Sequence, residues 1–232
     1  MSVIIVFILV VIGFSTWWLL RHGLMTKPWL EVGADPVDGG RSGMPTEKIA
    51  LGVFLAVVGA LFALFASAYF MRQEFVDWQA MPLPRIVWLN TGMLVLASIA
   101  LQCALAAVRQ GDSDTMRLSL VTGTAASLGF LAGQLVAWGE LTRGGYSLTE
   151  GPAASFFYLL TALHGLHLLG GLVALARTLP GAWGHGRPDV LRLRIELCTA
   201  YWHFLLLVWL GLLLLFTGRA SAFITICRQL LS

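Results

Sequence analysis

Six long apolar runs, separated by shorter polar stretches, dominate the pattern along the chain. They cover about residues 3–20, 48–71, 86–108, 117–139, 153–176 and 195–217. A helix of about 20 apolar residues is needed to cross the roughly 30 Å of hydrocarbon in a bilayer. The pattern therefore predicts an all-α fold, a polytopic membrane helix bundle with six transmembrane helices.

The composition agrees with a membrane protein. Of the 232 residues, 58% are hydrophobic and 12% are charged, whereas a soluble domain carries roughly 25% charged residues. The net charge of +3 comes from basic residues at the ends of apolar runs and does not indicate a nucleic-acid partner. The first run is too long for the apolar part of a signal peptide, and neither a preceding basic residue nor a small-residue cleavage site accompanies it. We therefore expect a retained helix there.

Basic residues are unevenly divided between the two sets of alternate loops. Cytoplasmic loops of membrane proteins carry the excess of Lys and Arg. The loops 21–48, 109–117 and 177–194 contain Arg21, Lys27, Arg41, Lys48, Arg109, Arg117, Arg177, Arg187, Arg192 and Arg194. The other set contains Arg72, Arg85, Arg143, Arg219 and Arg228. We therefore expect the first set in the cytoplasm and both termini on the opposite side.

The runs divide the chain into four parts. Residues 1–22 form an N-terminal transmembrane helix, residues 23–47 a cytoplasmic linker rich in Gly and Pro, residues 48–218 a five-helix core, and residues 219–232 a short tail. The linker is either a plain tether or a docking surface for a neighbouring subunit. The tail is too short to span a bilayer, so we expect it at the interface.

Small residues recur at spacings of three and four in three of the runs, which favours close approach of neighbouring helices. They are Gly52, Ala56, Ala60 and Ala63; Gly123, Ala126, Gly129 and Gly133; and Gly165 and Gly170. We predict a packing seam at each set. Most tryptophans lie near the ends of the runs and favour an aromatic belt at the membrane surface; they are Trp17, Trp18, Trp88, Trp138, Trp202 and Trp209.

Several polar side chains lie inside the apolar runs, where they are costly and usually mark a function or a buried polar contact. They are His164, His167, Glu196, His203, Gln134 and Glu140. His167 lies ten residues before Arg177 and His203 nine after Arg194, so both are expected about 13–15 Å from the cytoplasmic ends of their spans. Glu196 and His203 are two turns apart and share a helix face.

Three interpretations of these residues compete. The HxxH spacing of His164 and His167 is compatible with two metal ligands, although a haem–copper centre needs more histidines than the chain has. A Glu–His proton relay through the bundle is a second hypothesis. In the third, which the physics favours, the imidazoles bond to neighbouring helices or lipid headgroups and fix the packing. The sequence contains none of the common catalytic motifs, so we predict no catalytic, metal or cofactor-binding residue.

Two stretches identify a family resemblance. TALHGLHLLGGLVAL and AYWHFLLLVWLGLLLL resemble the last two helices of subunit III of haem–copper oxidases, through His164-Gly165-Leu166-His167, Tyr201-Trp202-His203-Phe204 and Val208-Trp209. Glu196, Gln134 and Glu140 also look like family positions, and FASAYFMR and PLPRIVWLNTGMLVLASIALQ are similar to bacterial members. The resemblance covers about residues 46–218.

The resemblance implies a non-catalytic core subunit of a proton-pumping terminal oxidase in a bacterial inner membrane. The periplasmic C-terminus expected from the charges agrees with the topology of the family. Such a subunit docks on subunit I, adjoins subunit II and the other subunits, binds phospholipid, and sustains proton uptake and turnover. Haem and copper would lie in partner subunits, where oxygen is reduced to water. The residues expected to make structural, lipid or interhelical polar contacts are His164, His167, Glu196, Trp202, His203, Trp209, Gln134 and Glu140.

The sequence also departs from the family. Many members carry a membrane-embedded glutamate in the second span, but no acid lies between Lys48 and Arg72 here, and Leu205, Leu206 and Leu207 replace a stretch that often contains an aspartate. Mechanisms that depend on those carboxylates cannot be transferred. A nitric oxide reductase accessory protein and a transporter with a Glu–His relay remain alternative hypotheses, although inverted repeats and broken helix pairs are missing for the latter. The sequence does not distinguish cytochrome c from quinol as electron donor.

Overall fold

The computed structural model describes residues 46–76, 78, 81–148, 150–184 and 188–218. Within these ranges the chain forms five α-helices, which are α1 (Thr46–Gln73), α2 (Ile86–Gln110), α3 (Ser113–Arg143), α4 (Pro152–Trp183) and α5 (Pro188–Phe216). Each is long and apolar enough to cross a membrane. The five spans predicted between residues 48 and 217 are thus confirmed. The predicted helix 3–20, the linker up to residue 45 and the tail 219–232 lie outside the described residues.

A two-residue turn joins α2 to α3 and makes them antiparallel neighbours. Gly111 has a φ of +77°, a left-handed conformation that glycine adopts without strain at the end of a helix. The N–H of Asp112 donates to the carbonyl of Ala107 (3.0 Å). The side chain of Asp112 then caps α3, because its Oδ1 accepts a hydrogen bond from the N–H of Thr115 (3.1 Å).

The predicted seam of small residues on α3 is where α2 packs. A Cβ at Gly123 would lie 3.2 Å from Leu101 Cγ, and a Cβ at Gly129 would lie 3.2 Å from Met93 Cε. Both distances are tighter than ordinary van der Waals contact, so the helices approach as closely as these glycines allow. The seam predicted at Gly123 and Gly129 is confirmed.

The predicted seam on α1 differs from the structure. A Cβ at Gly52 would meet no atom within 4 Å, and Ala56 and Ala60 are exposed, so the small-residue face of α1 is not a seam within the described chain.

The predicted seam on α4 is confirmed in part. Gly165 is buried, and a Cβ there would lie 3.6 Å from Leu131 Cδ2 on α3. The tightest approach, however, is at Gly171, whereas Gly170 is exposed. The buried face of α4 contains residue 171 but not 170, because adjacent helical residues point about 100° apart.

Helices α2, α3, α4 and α5 form the packed core, and α1 lies against α5 and α4. In its most apolar stretch α1 has 11% of its residues buried, compared with 39–50% in the other four helices. Its buried side chains are Val58, Phe62 and Tyr69. At one end of the core, Arg117 Nε donates to the carbonyl of Ala182 (2.8 Å) and joins α3 to the last turn of α4.

Candidate functional site

His164 lies in a closed aromatic pocket in the core of the bundle. It is fully buried, and its ring centroid lies 5.2 Å from the ring of Trp209 on α5 and 5.6 Å from the ring of Phe130 on α3. Phe62 of α1 covers it at 6.3 Å. Neither ring nitrogen has a hydrogen-bond partner among the described residues. The imidazole therefore acts here as a packing element between four helices.

His167 lies one turn further along α4 and at the edge of the core. Its Nδ1 lies 2.8 Å from the carbonyl oxygen of Leu163. Because a carbonyl oxygen can only accept, this Nδ1 carries the hydrogen, and Nε2 is the remaining ring nitrogen. The carbonyl of His167 accepts a hydrogen bond from the Tyr201 hydroxyl (2.8 Å), which joins α4 to α5 at this depth. Phe62 contacts the ring from α1 at 5.6 Å.

His203 differs from the expectation that it fixes the last two helices to each other. Its Nδ1 donates to the carbonyl of Thr199 (2.7 Å) on its own helix, and its side chain is exposed on the outside of the bundle. The ring reaches back one turn because the i−4 carbonyl is the nearest acceptor in an apolar surrounding. At this level α5 is joined to α4 by the bond from Tyr201 to the carbonyl of His167, and the Thr199 hydroxyl, 3.2 Å from the carbonyl oxygen of Leu101, joins α5 to α2.

Three buried or partly buried tryptophans donate to hydroxyl groups on neighbouring helices. Trp202 Nε1 donates to Ser127 Oγ (2.8 Å) and Trp209 Nε1 to Thr91 Oγ1 (3.0 Å). Trp138 Nε1 donates to Thr161 Oγ1 (3.1 Å). These bonds join α5 to α3, α5 to α2, and α3 to α4.

Each of these hydroxyls is itself oriented by its own helix. Ser127, Thr91 and Thr161 donate to the carbonyl oxygens of Gly123, Val87 and Phe157, each four residues earlier (2.7–2.9 Å). The lone pairs consequently point at the indoles. The prediction of an aromatic belt is therefore wrong for Trp202 and Trp209, which are 0% and 1% exposed, but it agrees with the exposure of Trp88 (55%). Hydroxyl residues inside apolar runs are the sequence signal that could have revealed these partners.

A buried amide pair lies between α2 and α3. Asn90 Nδ2 donates to Gln134 Oε1 (3.3 Å), and both residues are almost fully buried. Asn90 Oδ1 occupies the space beside Gly133, where a Cβ would collide with it. Gln134 was predicted as a polar contact from the sequence, but Asn90, the one amide inside the first half of its apolar run, was missed. The pair supplies a polar contact in the middle of an otherwise apolar seam.

The two acidic candidates lie near helix ends and have different environments. Glu196 Oε1 accepts a hydrogen bond from Lys48 Nζ (2.6 Å), and each side chain is about 30% exposed. This ion pair joins the beginning of α1 to the beginning of α5. Glu140 is exposed near the end of α3, where its carbonyl oxygen accepts the N–H of Gly144 (3.0 Å).

No group of three His, Cys, Asp or Glu side chains suitable for a metal ion occurs within the described part of the chain. His164 and His167 do not form one convergent pair either, since the first ring lies among aromatic groups and the second bonds to its own helix. The contacts between helices are made instead by the indole, hydroxyl and amide groups described above. The arrangement therefore has the character of a structural network.

The sequence of this bundle is similar to that of known proteins over its whole length. The family described as "Cytochrome c oxidase subunit III" matches residues 44–218. "Cytochrome c oxidase subunit 3" of Synechocystis sp. is 30% identical over 172 residues, which are 70% of this chain and 71% of that protein. "Cytochrome c oxidase subunit 3" of Thermostichus vulcanus is 27% identical over 173 residues, with coverage of 70% and 82%. "Probable cytochrome c oxidase subunit 3" of Nocardia farcinica is 32% identical over 128 residues, and there the match spans 60% of the relative's length.

Proposed function

Because the chain belongs to the cytochrome c oxidase subunit III family, we propose that it is the subunit III of a bacterial terminal oxidase and is itself non-catalytic. The observation that carries this proposal is the family match over residues 44–218, which includes all five helices. The network inside the bundle supports a scaffold role, since its indole, hydroxyl and amide groups are directed at one another. Oxygen reduction, haem and copper belong to partner subunits in this proposal.

The subunit is proposed to dock on subunit I, to adjoin subunit II, and to sustain turnover of the complex. In this role the subunit does not conduct protons through membrane-embedded carboxylates of its own. The helix α1 presents Phe62 to both His164 and His167, and its sequence has no acid between Lys48 and Arg72 that could face the histidines. This contact supports a structural rather than a proton-conducting role for the two imidazoles.

Phospholipid binding is proposed at the end of the bundle opposite the Lys48–Glu196 ion pair. A cavity of about 460 Å³ opens there between the ends of α1, α2, α4 and α5. Its lining includes Tyr69, Trp78 and Trp88 together with the amide of Gln73. Aromatic side chains with a polar group nearby favour the level of lipid headgroups. Native mass spectrometry of the purified subunit tests this, and loss of lipid adducts in Trp88→Ala but not in Leu118→Ala is the expected result.

Purification of the protein with its native partners tests the proposed function. A tagged chain should copurify with haem, copper and oxygen consumption. Nitric oxide turnover with haem b and non-haem iron would instead identify an accessory protein of a nitric oxide reductase. A chain that purifies without any haem protein would contradict both.

We propose a bacterial inner-membrane location with both termini in the periplasm, an orientation that the distribution of Lys and Arg supports. Ser113 begins α3 and Glu150 follows its opposite end, and both residues are exposed. Ser113→Cys should react with a membrane-impermeant maleimide only in inverted vesicles, and Glu150→Cys only in intact spheroplasts. The reverse pattern would invert the proposed orientation.

A further inference from the structure

We propose that one lateral face of the bundle, which we call the His203 face, docks a transmembrane helix of another oxidase subunit, and that this helix donates a hydrogen bond to His203 Nε2. The His203 face consists of His203, Leu207 and Leu210 on α5 and Gln102 on α2. All four side chains are exposed. The inference rests on the proposed function, because it requires a partner subunit. It goes further by naming the docking surface on this chain and the hydrogen-bond donor that the partner must carry.

One ring nitrogen of His203, Nε2, has no hydrogen-bond partner within the described part of the chain. Its Nδ1 donates to the carbonyl oxygen of Thr199, so this nitrogen carries the hydrogen. In a neutral imidazole with Nδ1 protonated, Nε2 is an acceptor. Of the described residues, none supplies a donor to it. A partner group at this position must therefore be a donor, such as a hydroxyl, an amide or an indole N–H.

Gln102 adds a second polar group to the same face. The seam between α2 and α5 is fixed at this level, because the Thr199 hydroxyl lies 3.2 Å from the carbonyl oxygen of Leu101. Gln102 is the next residue on α2, and His203 lies one turn after Thr199 on α5. The amide of Gln102 is exposed and forms no hydrogen bond with the described part of the chain. Two polar side chains thus border one seam from its two helices.

The depth of these groups favours a protein partner over lipid. His203 lies 15 residues after Pro188, about 22 Å along α5, which is near the middle of this 29-residue helix. Acyl chains offer neither donors nor acceptors, and headgroups lie too far away to reach the middle of a bilayer. Leu207 and Leu210, which are 68% and 46% exposed, continue the face toward the end of α5. The surface therefore suits an apolar helix that carries a polar side chain at the level of His203.

Photo-crosslinking in the assembled oxidase tests the position of the partner. p-Benzoylphenylalanine at residue 207, one turn beyond His203, should yield an adduct with another subunit of the purified complex. Mass spectrometry should place that adduct within a predicted transmembrane helix. Adducts with lipid alone, with a second copy of this chain, or within this chain would overturn the inference.

Substitutions of His203 test the hydrogen bond. His203→Leu should lower the amount of this subunit that stays in the complex after graded detergent washing by about threefold or more, whereas His203→Gln, which keeps an acceptor, should retain most of it. The thermal unfolding of the isolated chain should be the same in both variants, because among the described residues His203 bonds to its own helix alone. Equal retention of His203→Leu and wild type would overturn the inference while leaving the proposed function intact. Failure of the wild-type chain to copurify with an oxidase would remove both.

Discussion

Helix α1 and the bundle of α2 to α5 are held by different kinds of contact. The four-helix bundle is packed along its whole length, with glycines at the α2–α3 seam and indole–hydroxyl bonds between three helix pairs. Helix α1 touches the bundle along one narrow stripe, through Val58, Phe62 and Tyr69. Its polar attachment is the ion pair between Lys48 and Glu196 at one end.

This difference shows that two parts of one apolar chain are held together by different numbers of contacts between helices. In a bilayer the hydrophobic effect does not drive helices together, so close packing and hydrogen bonds between helices supply the cohesion. The four-helix bundle has close packing and hydrogen bonds along most of its seams. Helix α1 has an aromatic cluster at one end, where the Tyr69 ring lies 4.9 Å from the Trp78 ring and 5.6 Å from the Phe156 ring. At its other end α1 has the Lys48–Glu196 ion pair. We expect substitutions in the bundle to unfold the chain and substitutions on α1 to loosen that helix alone.

The largest effect is expected for Trp202→Ala. Trp202 is fully buried and bonds to Ser127, and truncation of a buried Trp or Phe costs about 3–5 kcal/mol through lost contacts and the cavity left behind. The free energy of unfolding, measured by titrating SDS into mild detergent, should fall by that order. Trp88→Ala is the control, because Trp88 is 55% exposed, and its effect should be within about 1 kcal/mol. Equal losses in the two variants would contradict the assignment of Trp202 to the tightly packed core of the bundle.

A matched pair of adjacent glycines tests the α4–α5 seam with the next largest effect. A Cβ at Gly171 would lie 2.6 Å from Tyr201 Cε1 and 3.0 Å from Trp202 Cη2, and the Tyr201 ring is held by its bond to the carbonyl of His167. Overpacking against such fixed rings costs about 1–3 kcal/mol. Gly170→Ala meets no atom within 4 Å and should be neutral or slightly stabilising, since Ala is the better helix former. A greater loss for Gly170→Ala than for Gly171→Ala, in the same unfolding titration, would refute the seam.

The attachment of α1 should respond with a smaller and local effect. Both members of the Lys48–Glu196 pair are about 30% exposed, and such pairs contribute about 0.2–1 kcal/mol. Glu196→Gln should raise amide hydrogen exchange in the first turns of α1 and leave exchange in α2 to α5 unchanged. Lys48→Gln should have the same effect, and the double variant should be no worse than either single one. Faster exchange throughout the bundle would show that α1 is coupled to the core more tightly than its contacts indicate.

The helices could be predicted from the sequence because an apolar run of sufficient length in a membrane protein has one low-energy conformation. A bilayer leaves backbone groups no partner outside the segment, so the run itself determines a helix. The α2–α3 turn could also be anticipated from its Gly-Asp pair. The helix ends extend further than the apolar runs because polar residues such as Asp112 cap a helix beyond its apolar stretch.

The rotation of each helix about its axis, which decides the side that faces a neighbouring helix, was predicted less well. Small residues indicate where another backbone can approach closely but not whether a neighbour is present, which is why Gly123 marks a seam and Gly52 does not. His203 was expected to bond to a neighbouring helix or a lipid headgroup, whereas its Nδ1 donates to the Thr199 carbonyl of its own helix. Which of these bonds an imidazole makes depends on helix rotations that the sequence does not specify. The partners of Trp202 and Trp209 lie 75 and 118 residues away along the chain. Such pairings follow from tertiary packing, which a hydrophobic pattern does not encode.

The smallest effect should come from the turn that starts α3, and it should depend on pH. Hydrogen bonds from Thr115 to the Asp112 carboxylate hold its pKa below the ordinary range. Because the folded pKa is the lower one, the ionised carboxylate stabilises the fold above the pKa of the unfolded chain, and this stabilisation is lost as the pH falls through the folded pKa. Asp112→Asn keeps a capping oxygen but does not titrate, so its unfolding temperature should vary less than that of the wild type when the pH is lowered through about 4. Asp112→Ala should be slightly less stable than wild type at neutral pH as well. If the wild type and Asp112→Asn had the same acid dependence, the ionised form of the Asp112 carboxylate would add nothing to the stability of the cap.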